Sequence, residues 1–268
     1  MSVALPLGWD QLALASALVL LAGGLSLLLG LGVGRRLAVA SLRAVVQLTI
    51  LGLVLAPLFR AELAWLVLLA TVGMVALASI EGVRRAGRRY RGVRRDAFTS
   101  LLVAGGGTAV LATTVIVRVE PWWDPRYLIP ILGMVLGNSL TGISIGLDLC
   151  LRELDEGRAR VEALLAMGAT PREASRPVAR EALRAGLVPI LNSMSVVGLV
   201  TVPGMMTGQI LGGTDPVLAA RYQIVILFLI AGATALGTAA VVLLALRALF
   251  DAEGRLRRER LASVGDGR

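Results

Sequence analysis

The chain has 268 residues, 56% of them hydrophobic and only 17% charged, with a mean hydropathy of +0.79 and a formal net charge of +9. A soluble domain averages nearer 45–50% apolar and about 25% charged, so the composition excludes a disordered chain and disfavours an ordinary soluble enzyme. There is no histidine and one cysteine, Cys150, which excludes an intrachain disulfide framework and leaves almost no basis for a Cys/His zinc or haem site.

About 20 apolar residues of helix cross the hydrocarbon core of a bilayer. Runs of that kind predict spans near Leu12–Val33, Leu37–Phe59, Leu63–Ile80, Ala97–Val117 and Leu128–Leu149. A sixth follows near Leu187–Val202, extendable to Leu211, and a seventh near Tyr222–Leu246. The first lacks the basic flank and short core of a cleaved signal peptide and reads as a retained span. All 27 basic residues are Arg, and with the amino terminus outside, 22 of them fall in cytoplasmic segments, as the positive-inside rule requires. The expected fold is an all-α integral membrane protein of about seven transmembrane helices, amino terminus outside and carboxyl terminus cytoplasmic. Residues 1–250 form one transmembrane domain, with a cytoplasmic loop at 151–186 between helices 5 and 6. A short basic tail at 251–268 is expected to be a fraying helix whose arginines meet anionic headgroups. The Arg-rich run Arg84–Arg95 joins two spans, so it reads as a lipid-contacting loop and not as a nucleic-acid site.

Polar residues inside these runs are the candidates for a transport path. In the second span Arg43 and Gln47, four apart, share a face. Arg43 either snorkels to headgroups or pairs with Glu81 or Asp148 near the same membrane surface. The fifth span carries two small-xxx-small pairs, Gly133/Gly137 and Gly142/Gly146, which permit close helix contact. Between them lie Asn138, Ser139 and Thr141. Asn138 cannot face lipid with its amide unsatisfied; it either bonds a neighbouring helix or lines a path. The sixth span opens with Asn192 and Met194 and is expected to break at Pro203-Gly204, ahead of Met205, Met206 and Gln209. The two thioethers are either packing or soft metal ligands.

The loop after the fifth span encodes a helix–turn–helix. Arg158–Met167 forms a first short helix with Val161, Leu164, Leu165 and Met167 on one face, stopped at Gly168. Thr170 caps a second, with Pro171 at its first position and Glu173 completing a capping box; Pro177 is expected to kink or end it. The apolar stripe needs either a protein partner or interfacial lipid to cover it.

Glu162-Ala163-Leu164-Leu165-Ala166-Met167-Gly168 resembles the Glu-Ala-Ala-x-x-x-Gly loop of ABC transporter permeases, and Ala169–Ala174 is similar to its continuation. Leu164 replaces the usual second Ala, and Arg180-Glu181 stand where importers carry Leu-Pro. In those proteins the loop docks on a separate ATP-hydrolysing subunit, a role the resemblance extends to Glu162, Ala163, Leu165, Gly168, Thr170, Pro171 and Glu173. Together with Leu42–Leu48, Ile131–Ser139, Gly142–Asp148, Asn192–Met194, Pro203–Gly213 and Ala220–Ile224, the loop resembles the FetB-type permeases. These small membrane proteins are assigned to iron export, and plant relatives are linked to aluminium tolerance. The resemblance covers nearly the whole chain. It implies a permease that dimerises in the cell (inner or plasma) membrane and pairs with a FetA-type ATP-binding subunit. ATP and Mg would sit on that partner, with no cofactor and no catalytic residue in this chain. Iron is the implied cargo; export of another small solute, or a non-transporting assembly role, are the alternatives. A membrane enzyme would need an acid/base cluster or a Gly-x-Ser-x-Gly nucleophile, and neither is present.

Overall fold

The computed structural model describes residues 8–61, 63–251 and 253–263, which divide into two compact units. The first holds α1 (Trp9–Leu28), α2 (Gly34–Ala61) and residues 208–214. Gly30 and Gly32 take φ of +62° and +66°, left-handed conformations that side chains disfavour, and they turn the chain between the two helices. The helices meet at the buried Ser26, where a Cβ on Gly34 would stand 3.7 Å from its hydroxyl. Leu14, Leu18, Leu20 and Leu27 on α1 are at least 70% exposed. Such a surface would be a large apolar patch in water; in hydrocarbon it matches its solvent.

The second unit is built on α6 (Pro125–Glu156), α8 (Pro171–Val196) and α10 (Pro216–Leu249), with α3 (Ala64–Arg85) against α6. Between α3 and α6 run α4 (Val93–Leu101), a π-helical turn Leu102–Gly106, α5 (Gly107–Leu111) and a second π turn Ala112–Ile116. The first π turn carries the chain past α6 at Gly105, where a Cβ would come within 2.8 Å of Leu136 Cδ2. A backbone that must approach a neighbour this closely selects glycine.

Among the described residues six helical runs are long and apolar enough to cross a membrane: Asp10–Leu28, Gly34–Arg60, Ala64–Arg85, Val93–Ile116, Pro125–Glu156 and Pro216–Leu249. They correspond to the expected spans except the sixth. That region divides into the second half of α8, an irregular turn and α9 (Gly204–Leu211). Arg180, Glu181 and Arg184 leave α8 only twelve uncharged residues, Ala185–Val196, about 18 Å of helix. The break begins earlier than Pro203-Gly204. At Val196 the helix stops, its carbonyl accepts from Val200 and Thr201 N–H, and Gly198 turns with φ +80°. Pro203 then caps α9 by accepting from Thr207.

One local expectation is narrowed and another corrected. Of the kink or end expected at Pro177, the end does not occur, for α8 runs through it and through Pro189 to Val196. In its described residues, 251 and 253–263, the tail is not a fraying helix; residues 252 and 264–268 lie outside the described residues. Asp251 Oδ1 accepts the Arg255 N–H at 2.6 Å and Gly254 turns with φ +78°. That side-chain bond competes with helix continuation. A 3-10 turn at Arg258–Arg260 and a strand β2 (Leu261–Ser263) follow, paired antiparallel with β1 (Arg88–Tyr90) in the α3–α4 connection.

Candidate functional site

The α6–α8 connection is a compact hairpin. α7 (Arg158–Ala166) starts one residue after α6 ends and buries Val161. Gly168 stops it with φ +89°, and Thr170 opens α8. The capping box is complete. The Thr170 hydroxyl accepts the Glu173 N–H at 3.3 Å, while the Glu173 carboxylate accepts from the Thr170 N–H and hydroxyl, each at 2.8 Å. These donors hold the Glu173 carboxyl below the ordinary glutamate value. Glu162 accepts from Arg158 Nε across one turn. Ala163, Ala166, Met167 and Gly168 are exposed at the tip, whereas Leu164 and Leu165 are half-buried. The hairpin therefore presents a small convex surface while Val161 roots it.

Beside it, Glu153, Arg160, Glu173, Arg176, Arg180 and Glu181 ring a polar cleft of about 660 Å³ between α6, α7 and α8. A second anchor joins the same end of the unit to the α3–α4 connection. Asp148 Oδ1 accepts the Gly87 N–H at 2.7 Å, and Arg88 reaches Asp155 at 2.9 Å and Glu156 at 2.8 Å. Arg258 of the tail approaches Asp155 at 3.4 Å. Those carboxylates raise the Arg88 pKa above its ordinary value. The Tyr90 hydroxyl donates to the buried Asp96 at 2.7 Å, and burial together with that carboxylate pushes its pKa up.

The hairpin is connected to the core by α8. Gly142 and Gly146 of α6 face Gly186 and Ala182 of α8 and Thr234 and Thr238 of α10. A Cβ on Gly142 would lie 2.8 Å from the Gly186 carbonyl oxygen and 2.5 Å from Thr234 Cγ2, so the α6 and α8 backbones meet directly and α10 closes on them through its threonine side chains. Of the predicted packing glycines, Gly142 and Gly146 make such contacts. Gly133 meets only Met74 at 3.5 Å, and Gly137 meets nothing within 4 Å.

The predicted polar path residues divide between the two units. Ser139 is fully buried with its hydroxyl 3.4 Å from that of Thr234. Asn138 is exposed on the outer face of α6 and donates to the Met134 carbonyl of its own helix. Asp148 lines a cavity of about 380 Å³ with Thr141, Ser144, Arg85 and Arg152. Glu81 approaches Arg84 at 3.6 Å. Arg43 and Gln47 are exposed on α2 in the first unit, Asn192 is exposed on α8, and Met194 is half-buried there. Met205, Met206 and Gln209 are half-buried on α9, and the Gln209 side-chain oxygen is shielded without a donor. Among the described residues there is no group of three or more His, Cys, Asp or Glu suited to a metal ion. Sequence reasoning missed Gly186 and Thr238, and it missed the tie between Asp148 and Gly87; their partners lie tens of residues away in the chain.

Apolar spans, a tight three-helix core and a polar hairpin at one end define a multi-pass membrane protein. The chain belongs to the family described as "Uncharacterised protein family (UPF0014)", whose profile matches residues 9–250. It is 35% identical to "UPF0014 membrane protein slr1647" of Synechocystis over 93% of this chain and 95% of that protein. It is 35% identical to "Protein ALUMINUM SENSITIVE 3" of Arabidopsis thaliana over 84% of this chain and 81% of that protein. It is 30% identical to "Probable iron export permease protein FetB" of Escherichia coli over 80% of this chain and 81% of that protein. No solved structure matches the chain.

Proposed function

We propose that this chain is the membrane-spanning permease subunit of an ATP-driven ABC exporter, with a metal ion, iron first, as cargo. The observation that carries the reading is the α7–α8 hairpin. It presents an exposed tip of Ala163, Ala166, Met167 and Gly168, and from its capped start α8 runs unbroken to the contact of Gly186 with Gly142. A push on the tip by a closing pair of ATP-binding subunits would travel along a rigid rod into the three-helix core, where small residues let backbones shift without displacing large side chains. Two permease copies and two ATP-binding subunits, each binding ATP with Mg, complete the assembly. In the seven-span reading 22 of 27 arginines fall on the hairpin's side of the membrane, and the positive-inside rule would make that side cytoplasmic, where ATP is. The cargo reading rests on similarity to the Escherichia coli protein named an iron export permease. Hydroxyl, amide and thioether groups along α6, α8 and α9 suit the weak, multi-site contacts that let an ion leave as well as enter.

Glu162→Arg tests the hairpin. It sets like charges four residues apart at an exposed site, which costs only a few tenths of a kcal/mol, so folding survives. Tagged chain purified from native membranes should lose its ATP-binding partner and its ATP-dependent iron efflux in vesicles. Wild-type recovery of both would end the docking role. Retained coupling with copper or an organic solute moved in place of iron would overturn the cargo alone.

A further inference from the structure

At the end of the second unit that carries the hairpin, a cleft of about 1030 Å³ opens between the start of α8 and the end of α10. Its lining joins the apolar Ala240, Leu243 and Leu244 of α10, hereafter its floor, to the cationic Arg172, Arg176 and Arg247. Arg172 and Arg176 stand four apart, on one face of α8. On α10 the floor lies one to two turns before Arg247, about 5–10 Å along the axis. Arg247 is also where the membrane-crossing run of α10 is ending. The cleft thus straddles the boundary between hydrocarbon and headgroups, greasy below it and cationic above. Leu243 is 56% exposed and continues the outward apolar ridge of Phe228 and Leu236, each 63% exposed, at the seven- and eight-residue spacing of one helix face.

Charge decides the occupant. Asp251 is the one acid in the lining, and it is already used: its carboxylate accepts the Arg255 N–H and faces Arg257 at 3.8 Å. Among the described residues, Arg172, Arg176 and Arg247 form no ion pair. Three guanidinium groups against one engaged carboxylate in the lining disfavour a metal cation there. A polybasic rim above an apolar slot at the membrane boundary fits a phosphate on an acyl chain. We propose that the cleft is a binding site for one anionic phospholipid, its phosphate held among Arg172, Arg176 and Arg247 and one chain running over Leu243 along the outer face of α10. A lipid so placed would brace the start of α8, the element that joins the hairpin to the core.

The test uses the full chain purified in detergent and probed with phosphatidylglycerol, phosphatidylcholine and inorganic phosphate, read by native mass spectrometry and by thermal melting. Phosphatidylglycerol should be retained and should raise the melting temperature, with phosphatidylcholine and phosphate each doing markedly less. Each arginine near the surface is worth about fivefold in binding, so Arg172→Gln/Arg176→Gln/Arg247→Gln should weaken retention by roughly a hundredfold. The control Arg35→Gln/Arg36→Gln/Arg126→Gln, with equal loss of charge, should leave it unchanged. Ala240→Trp fills the floor and keeps the arginines, so it should also abolish retention. Equal retention of both lipids, full stabilisation by phosphate alone, or wild-type binding by the triple variant would each overturn the site. So would loss of an ATP-binding partner in the triple variant with lipid retention intact. Apart from that last outcome, none depends on cargo or on the hairpin's docking role.

Discussion

Replacing Gly142 by alanine inserts a methyl group where α6, α8 and α10 touch. The added carbon would meet Thr234 Cγ2 at 2.5 Å, the Gly186 carbonyl oxygen at 2.8 Å and Thr238 Oγ1 at 3.1 Å. The carbonyl is fixed by its helix, so relief requires the helices to move apart. Overpacking of this kind costs about 1–3 kcal/mol. Gly137→Ala, five residues earlier on the same helix, meets nothing within 4 Å and should gain the helical preference of alanine, about 0.5–1 kcal/mol. The two substitutions are chemically identical and should differ in sign. Unfolding in mixed micelles titrated with sodium dodecyl sulfate, followed by circular dichroism, measures both. At Gly146 the nearest atom is Thr238 Cγ2 at 2.6 Å, and the next is the Ala182 carbonyl at 3.1 Å. Thr238→Ser removes that methyl, so it should recover most of the loss in Gly146→Ala, a coupling that a double-mutant cycle reads directly. Equal effects at Gly142 and Gly137, or no rescue by Thr238→Ser, would refute the close three-helix contact.

Asp155→Asn removes the carboxylate shared by Arg88 and Arg258. Partly exposed ion pairs contribute about 0.2–1 kcal/mol, so global stability should scarcely change while amide exchange at Leu261–Ser263 accelerates. Glu173 has a depressed pKa, so its contribution is complete above the ordinary glutamate value of about 4.3 and disappears as pH falls through the lower folded value. Wild type should therefore lose stability on acidification below about pH 4 more steeply than Glu173→Gln, which keeps an acceptor without a titrating proton; identical acid profiles would contradict the capping geometry. Gly168→Ala meets open space, so its cost is that of the backbone at φ +89°, about 1–2 kcal/mol. Thermal melting should report that loss, and partner recovery should fall with it if the turn sets the hairpin's shape.

The difference between legible and illegible features follows the range of the interaction. Hydropathy over about 20 residues marked the spans because lipid acts on each helix separately. The hairpin was legible for the same reason: Gly168 stops α7 and the Thr170–Glu173 box starts α8 through bonds that reach three residues. At Pro177, where a kink or an end was expected, the helix does not end; the tertiary packing of α8, which buries Ala174, Val178 and Ala182 on either side, keeps it running. Asn138 drew attention as a mid-span amide that would bond a neighbouring helix or line a path; its amide donates instead to the Met134 carbonyl of its own helix.

By itself the amino-acid sequence determined that this chain lives in a membrane, roughly where it crosses and where its capped hairpin turns, since each depends on neighbours along the chain and on the solvent around it. Only the tertiary structure decided that Gly142 and Gly146, and not Gly133 or Gly137, hold the core together. It alone drew the tail back onto Arg88–Tyr90 and seated three arginines over an apolar slot. Those outcomes depend on groups distant in sequence arriving within a few ångströms of one another, and close packing between backbones leaves no periodic signal along the chain.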